Sequence, residues 1–169
     1  MRLVTNLEHS KEAFDERLRF KTEPVKRVDL LLQQLAVDLL EEMYNLNAIG
    51  LAANQVGLRM KLCVIDPAYV QGEKMPIVMF NPEVVEHGED FFVSPEGCLS
   101  LPDVDVHVNR FRNTKVKFLG LDGKEYTIKD DNSLLSSVIQ HEIDHLNGII
   151  MTDRVPEAAE VRYQTNHSS

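Results

Sequence analysis

NSLLSSVIQHEIDHLNG, residues 132–148, is the stretch on which the reading of this chain turns. Asn132 is a residue type that caps a helix start, Gly148 one that ends a helix, and between them Leu134, Val138, His141 and His145 recur on one helical face. A helix is therefore expected from near Asn132 to Gly148. Inside it, His141, Glu142, Ile143, Asp144 and His145 spell HExxH. Residues four apart stack on one face of a helix, so both imidazoles can bind a single tetrahedral metal ion. Glu142 beside them can take the proton of a water whose pKa such an ion lowers to about 7. A surface helix with two solvated histidines would spell the same five letters. Leu134 and Val138 on the same face argue for burial, and buried histidines need partners.

Working towards the N-terminus, Val28, Leu32, Leu35, Leu39 and Met43 follow three- and four-residue steps, with Pro24 where a first helical turn tolerates it. This predicts a long amphipathic helix from Val25. Between the two helices lie short β-rich runs at 62–66, 77–80, 91–93, 116–119 and 126–128 and the alternating Val104, Val106 and Val108, punctuated by Pro, Gly and Asp. Helix, strands, helix is the order of an α+β domain.

The chain's 169 residues suit one domain, expected over 1–169 with 149–169 as a short C-terminal tail. A 43% apolar and 27% charged composition is enough for a packed core. The formal net charge of −9 opposes attraction to phosphate backbones, so direct nucleic-acid recognition is not expected. Neither a signal-peptide core within the first twenty residues nor a stretch of transmembrane length is legible. Two cysteines, Cys63 and Cys98, do not suggest a disulfide framework, which fits a reducing, cytoplasmic compartment.

Two histidines leave a catalytic metal one protein ligand short. Cys98, in Glu96-Gly97-Cys98-Leu99-Ser100, is the best candidate, because a thiolate with two imidazoles is a sound zinc or iron set. A lone cysteine is also an ordinary small core residue. Gly97 beside Cys98 makes the segment look like a turn, whereas Cys63 sits in an apolar run and reads as core. A third element, Ile49-Gly50-Leu51-Ala52-Ala53-Asn54-Gln55, has small residues that allow close backbone approach. Gln55 there could donate an amide hydrogen bond to a carbonyl or oxyanion, or be an exposed residue of a packed loop.

Together the three segments resemble the signature motifs of the peptide deformylases: G-φ-G-φ-A-A-x-Q, E-G-C-L-S, and Q-H-E-x-D-H starting at Gln140. The resemblance spans about residues 25–148 in matching order. It implies antiparallel β-sheets around a central metal-binding HExxH helix, with a long N-terminal helix. It implies that Cys98, His141 and His145 hold one divalent ion, Fe(II) in the native protein, with zinc, nickel or cobalt able to replace it. Glu142 would be the general acid and base, and Gln55 with the Leu99 backbone N–H would stabilise the oxyanion. The substrate site would comprise a methionine pocket at Ile49, Gly50, Leu134 and Val138 beside Glu96, itself paired with Arg110. The activity implied is hydrolysis of the N-formyl group of N-terminal formylmethionine on nascent polypeptides, releasing formate, by a cytoplasmic monomer. Ala48 departs from the family by replacing the first motif glycine, which matters if that position needs φ > 0. Phe111 stands where proline is common after the arginine, and residues 7–19 replace a proline-containing N-terminal signature.

Two other readings compete. A zinc protease takes its third ligand downstream of the helix, where only Glu157, Glu160 and His167 are candidates. A structural metal module wants four protein ligands, and only three present themselves. The tail is expected to form at most about two helical turns over residues 157–164, marginal on its own. Its acidic residues Asp153, Glu157 and Glu160 outnumber Arg154 and Arg162. Ribosome association through it should be weak or absent.

Overall fold

The first helix of the chain, α1 (Lys11–Leu18), is short and was not legible in the sequence, because only Phe14 and Leu18 reach the core. Ser10 caps it, accepting from the Ala13 N–H. The expected long helix is the second one, α2 (Leu30–Asn45), and it starts five residues later than the apolar steps suggested. Asp29 is its cap, accepting from the Leu32 N–H at 3.0 Å. Val25 precedes it in non-helical backbone, its N–H and C=O both taken by the Asn81 side chain at 2.7 Å. The N-terminal helix is thus short, and the long helix follows it. This computed structural model describes residues 1–130, 133–155 and 162–163.

Seven strands follow α2 and precede or surround the last helix: β1 (Gly50–Ala52), β2 (Leu62–Ile65), β3 (Ile77–Glu86), β4 (Phe91–Cys98), β5 (Leu101–Phe111), β6 (Thr114–Leu119) and β7 (Glu125–Asp130). After α3 (Leu134–Leu146), a two-residue strand β8 (Arg162–Tyr163) closes the described chain. One antiparallel sheet has the order β1-β2-β3-β6-β7 and the other β4-β5-β8. β3 continues beyond Phe80, where Asn81 and Pro82 read as a break. Asn81 takes a left-handed φ of 53°, and the register with β6 shifts between Phe80 and Glu83, so an irregularity absorbs the proline. β8 pairs Val104 with Tyr163 and Asp105 with Arg162, which replaces helical turns by extended backbone at those two positions of the tail.

The two helices sit on opposite faces of the larger sheet, and β2 shows why. Its four residues are all buried, yet they alternate: Leu62 and Val64 join α2 residues Leu39 and Met43, whereas Cys63 and Ile65 join α3 residues Ile139, Ile143 and Leu146. A third apolar cluster unites Phe14 and Leu18 of α1 with Val104, Val106 and Val108 of β5. α3 lies between the two sheets, its apolar side on the larger one and its polar side on β4 and β5. Ser133 caps it, accepting from the Ser136 N–H, while Asn132 lies outside the described residues. It ends at Gly148, whose φ is +75° and where a Cβ would stand 2.9 Å from the backbone of Arg19 and Phe20. Among the described residues no helix is long and apolar enough to cross a membrane.

Candidate metal centre and pocket

α3 presents its HExxH residues to the end of β4. Cys98, His141 and His145 converge there with their donor atoms all within 4.8 Å of one another, and Cys98 Sγ lies 3.3 Å from His145 Nε2. The sulfur arrives because the β4–β5 connection is tight: Cys98 pairs with Leu101 after a register shift at Gly97. Burial pushes the Cys98 thiol up, but the imidazoles of His145 and His141 outweigh it and hold the thiol well below its usual range. A thiolate and two imidazoles are the donor set of a catalytic zinc or iron site, with three protein ligands rather than four. No other group of three such side chains gathers among the described residues. The three downstream candidates of the protease reading lie outside them.

Around the donors stands a buried polar frame. His141 Nδ1 meets Glu96 Oε2 at 2.8 Å, and Glu96 accepts a two-pronged pair of 2.7 Å bonds from Arg110 and one from the Ser137 hydroxyl. Burial pushes Glu96 up, yet the Arg110 and His141 contacts prevail and bring it down to about 2. Arg110 reaches on to Asp144 Oδ2 at 2.6 Å, and Arg154 donates to both oxygens of Asp144, to Oδ1 at 2.6 Å and to Oδ2 at 3.1 Å. Gln140 clamps both main-chain groups of Phe111 at 3.0 Å, tying β5 to α3. The Glu96–Arg110 pair is as expected. The parts played by Ser137, Asp144 and Arg154 were not read from the sequence, where the aspartate of the Q-H-E-x-D-H pattern was the available signal.

Glu142 is 3% exposed, and its Oε2 is buried without a hydrogen-bond partner among the described residues. Burial is the main cause that raises its carboxyl to about 7, where it can exchange a proton near neutrality. Gln55 is buried and not exposed. Its Oε1 accepts the Ala52 N–H at 2.9 Å, which turns Nε2 towards Ser100 Oγ at 3.1 Å and Cys98 Sγ at 3.7 Å. The Val4 N–H bonded to Gln55 O and the Asn6 N–H bonded to Ser100 O tether both turns from the N-terminal segment. Cys63 is fully buried in the core, as its apolar run implied.

A cavity of about 440 Å³ opens beside these groups, walled by residues 47–50 on one side, 95–99 on another, and Leu134, Val138 and Glu142 of α3. Ile49, Gly50, Glu96, Leu99, Leu134 and Val138 all line it, although the Glu96 carboxylate is occupied by Arg110, Ser137 and His141. Gly50 is the closest approach: a Cβ there would stand 3.0 Å from Glu142 Cδ and Val138 Cγ1 and nearer still to Glu142 Oε1. Ala48 costs the loop nothing, because the left-handed turn falls one residue earlier, on Asn47 (φ 52°).

The family model for polypeptide deformylase matches residues 11–161. The peptide deformylase of Agrobacterium fabrum is 42% identical over 141 residues, 83% of this chain and 82% of its own length. Among solved structures, a peptide deformylase from Synechococcus elongatus in complex with actinonin superposes with a TM-score of 0.83 at 35% identity, covering 94% of this chain and 82% of that one. A probable peptide deformylase from Synechococcus phage S-SSM7 gives 0.80 at 35% identity, covering 91% of this chain and 99% of that one.

Proposed function

The chain belongs to the polypeptide deformylase family, and from that premise we propose how its own residues remove the N-formyl group from nascent polypeptides. Cys98, His141 and His145 are the metal ligands in this reading, with Fe(II) as the native ion. When bound, the ion supplies Lewis acidity, which polarises the formyl carbonyl and makes water a nucleophile near neutral pH. Glu142 takes the proton from the attacking water on its unpartnered oxygen and returns it to the leaving amine, so formate and a free N-terminus result. Gln55 Nε2, with its other end pinned by Ala52, and the Leu99 N–H donate to the oxyanion. The cavity between residues 47–50 and α3 takes the methionine side chain, with Ile49, Gly50, Leu134 and Val138 as its apolar wall. Glu96 serves this site by orienting His141 through Nδ1.

The observation that carries the reading is the buried Glu142 carboxylate, its Oε2 without a hydrogen-bond partner among the described residues, beside a Cys/His/His donor set. Glu142→Gln tests it. The variant keeps side-chain size and should retain the ion while losing about 10²- to 10⁴-fold in turnover. Near-normal formate release from a metal-replete variant would remove Glu142 from the mechanism.

The same reading places the protein in the cytoplasm as a monomer. Ribosome docking through the tail is weak or absent, since its charges are mostly acidic. Truncation after Val155 should then leave turnover of a formyl-Met peptide near normal and ribosome co-sedimentation unchanged.

A further inference from the structure

On the far side of the cavity wall from the metal ligands lies a hydroxyl–carboxylate pair that the chemistry above does not use. Asp66 follows β2, is fully buried, and accepts from the Tyr44 hydroxyl at 2.5 Å and from the Met75 N–H at 3.0 Å through Oδ2. Its Oδ1 is buried with no hydrogen-bond partner among the described residues. Tyr44 belongs to the last turns of α2, its ring against Tyr69 with centroids 4.9 Å apart and under the Lys74 ammonium at 4.5 Å.

What hangs between these two residues is the wall itself. The Asn47 N–H donates to Tyr44 O at 2.9 Å and the Ala48 N–H to Met43 O at 3.0 Å, which fixes the start of the 47–50 segment to α2. The Asp66 N–H donates to Ile49 O at 2.8 Å, which fixes its other end to β2. The side-chain bond joins the two anchors directly. Holding α2 on the sheet does not require it, because Leu39, Met43, Leu51, Leu62, Val64 and Phe80 already pack there. A buried carboxylate with one oxygen unpaired costs stability relative to an apolar residue, so the pair is better explained by the position it enforces.

We propose that Tyr44 and Asp66 are positioning residues for the substrate: their bond sets the spacing between α2 and β2 and thereby holds Ile49 and Gly50 against the formyl-methionyl chain. The proposal rests on the reading that the cavity receives that chain. Charge-assisted bonds are short and directional, which suits a spacer between two rigid elements.

Steady-state kinetics on a formyl-Met peptide test this with the wild type, Tyr44→Phe, Asp66→Asn and the double variant, all at full metal occupancy. Tyr44→Phe keeps the ring and should raise KM roughly 10-fold, short of the ~100-fold that a 1 Å misplacement can cost. Its kcat should stay within about 2-fold, the pattern of lost substrate positioning. Asp66→Asn should also raise KM, and the double variant should be no worse than the more affected single one. A pair that only stabilises the fold would lower the melting temperature and the active fraction with KM unchanged. KM values within 2-fold of wild type in both single variants, or additive effects in the double, would overturn the assignment. Wild-type formate release measured alongside separates the two claims: its presence with unchanged KM values sinks the pair alone, its absence sinks the reading of the cavity as well.

Discussion

Gly50→Ala adds one methyl group to a crowded point of the cavity wall. The new Cβ would stand 3.0 Å from both Glu142 Cδ and Val138 Cγ1, and closer to Glu142 Oε1. Optimal separations begin at about 3.5 Å, so each contact must open by roughly 0.5 Å and the carboxylate oxygen by more. β1 cannot easily retreat, since Gly50 pairs with Ile65 and Leu51 and Ala52 beside it are fully buried. Glu142 must therefore yield, displaced by roughly 0.5–1 Å from where it meets the reacting water. Misplacement of about 1 Å can cost on the order of 10²-fold, so kcat should fall about 30- to 100-fold. At 1.36 kcal/mol per decade this is about 2–2.7 kcal/mol of barrier. The ligands are untouched, so metal content should remain that of the wild type. Formate release and metal analysis on the same folded sample decide the matter. A kcat within about 3-fold of wild type at full metal occupancy would refute the argument that Gly50 is needed to seat Glu142.

Three further outcomes are expected. Arg110→Met should destabilise the protein by about 3–5 kcal/mol in denaturant unfolding, because it leaves Glu96 and Asp144 as buried carboxylates without their shared cation; a loss under about 1 kcal/mol would show that the frame is not needed. Glu96 is lowered from 4.5 to about 2, so its contribution to stability is complete above about pH 4.5 and disappears as pH falls towards 2. Metal-free Glu96→Gln should accordingly lose less stability across that window than the metal-free wild type, and parallel curves would contradict the assignment. If iron is the native ion, the thiolate site should lose activity faster in air with iron than with nickel or cobalt, and equal half-lives would count against an iron enzyme.

The sequence carried the centre of this molecule better than its periphery. HExxH has a helical period that reports both the helix and the convergence of His141 with His145, and the Val104–Val106–Val108 alternation reports a half-buried strand. Cys98 stands out by its donor chemistry and the Gly97 beside it, and the resemblance adds its role as a ligand, since a single cysteine says nothing about which helix its strand will meet. α1 has no legible trace in the sequence because one apolar pair, Phe14 and Leu18, is too brief a period to distinguish from irregular chain. The apolar steps put the start of α2 at Val25 because they run on through residues held by Asn81, a partner 56 positions away. β3 and β4 extend well past their apolar runs for a similar reason: Pro82 sits at a register shift, and Ser94 and Glu96 are buried polar residues that only α3 and Arg110 explain. The Asp144–Arg154 contact was equally invisible, because an ion pair between a helix and the turn after it has no periodic trace.

The metal dependence of formate release is the decisive measurement for a metal-dependent deformylase. The chain is stripped of metal and titrated anaerobically with Fe(II) or Co(II), and formate is measured as it leaves a formyl-Met peptide. No release is expected from the stripped protein, with activity rising as ion is added and levelling at one ion per chain. Undiminished release after stripping, or no release at any loading, would contradict metal-dependent deformylation.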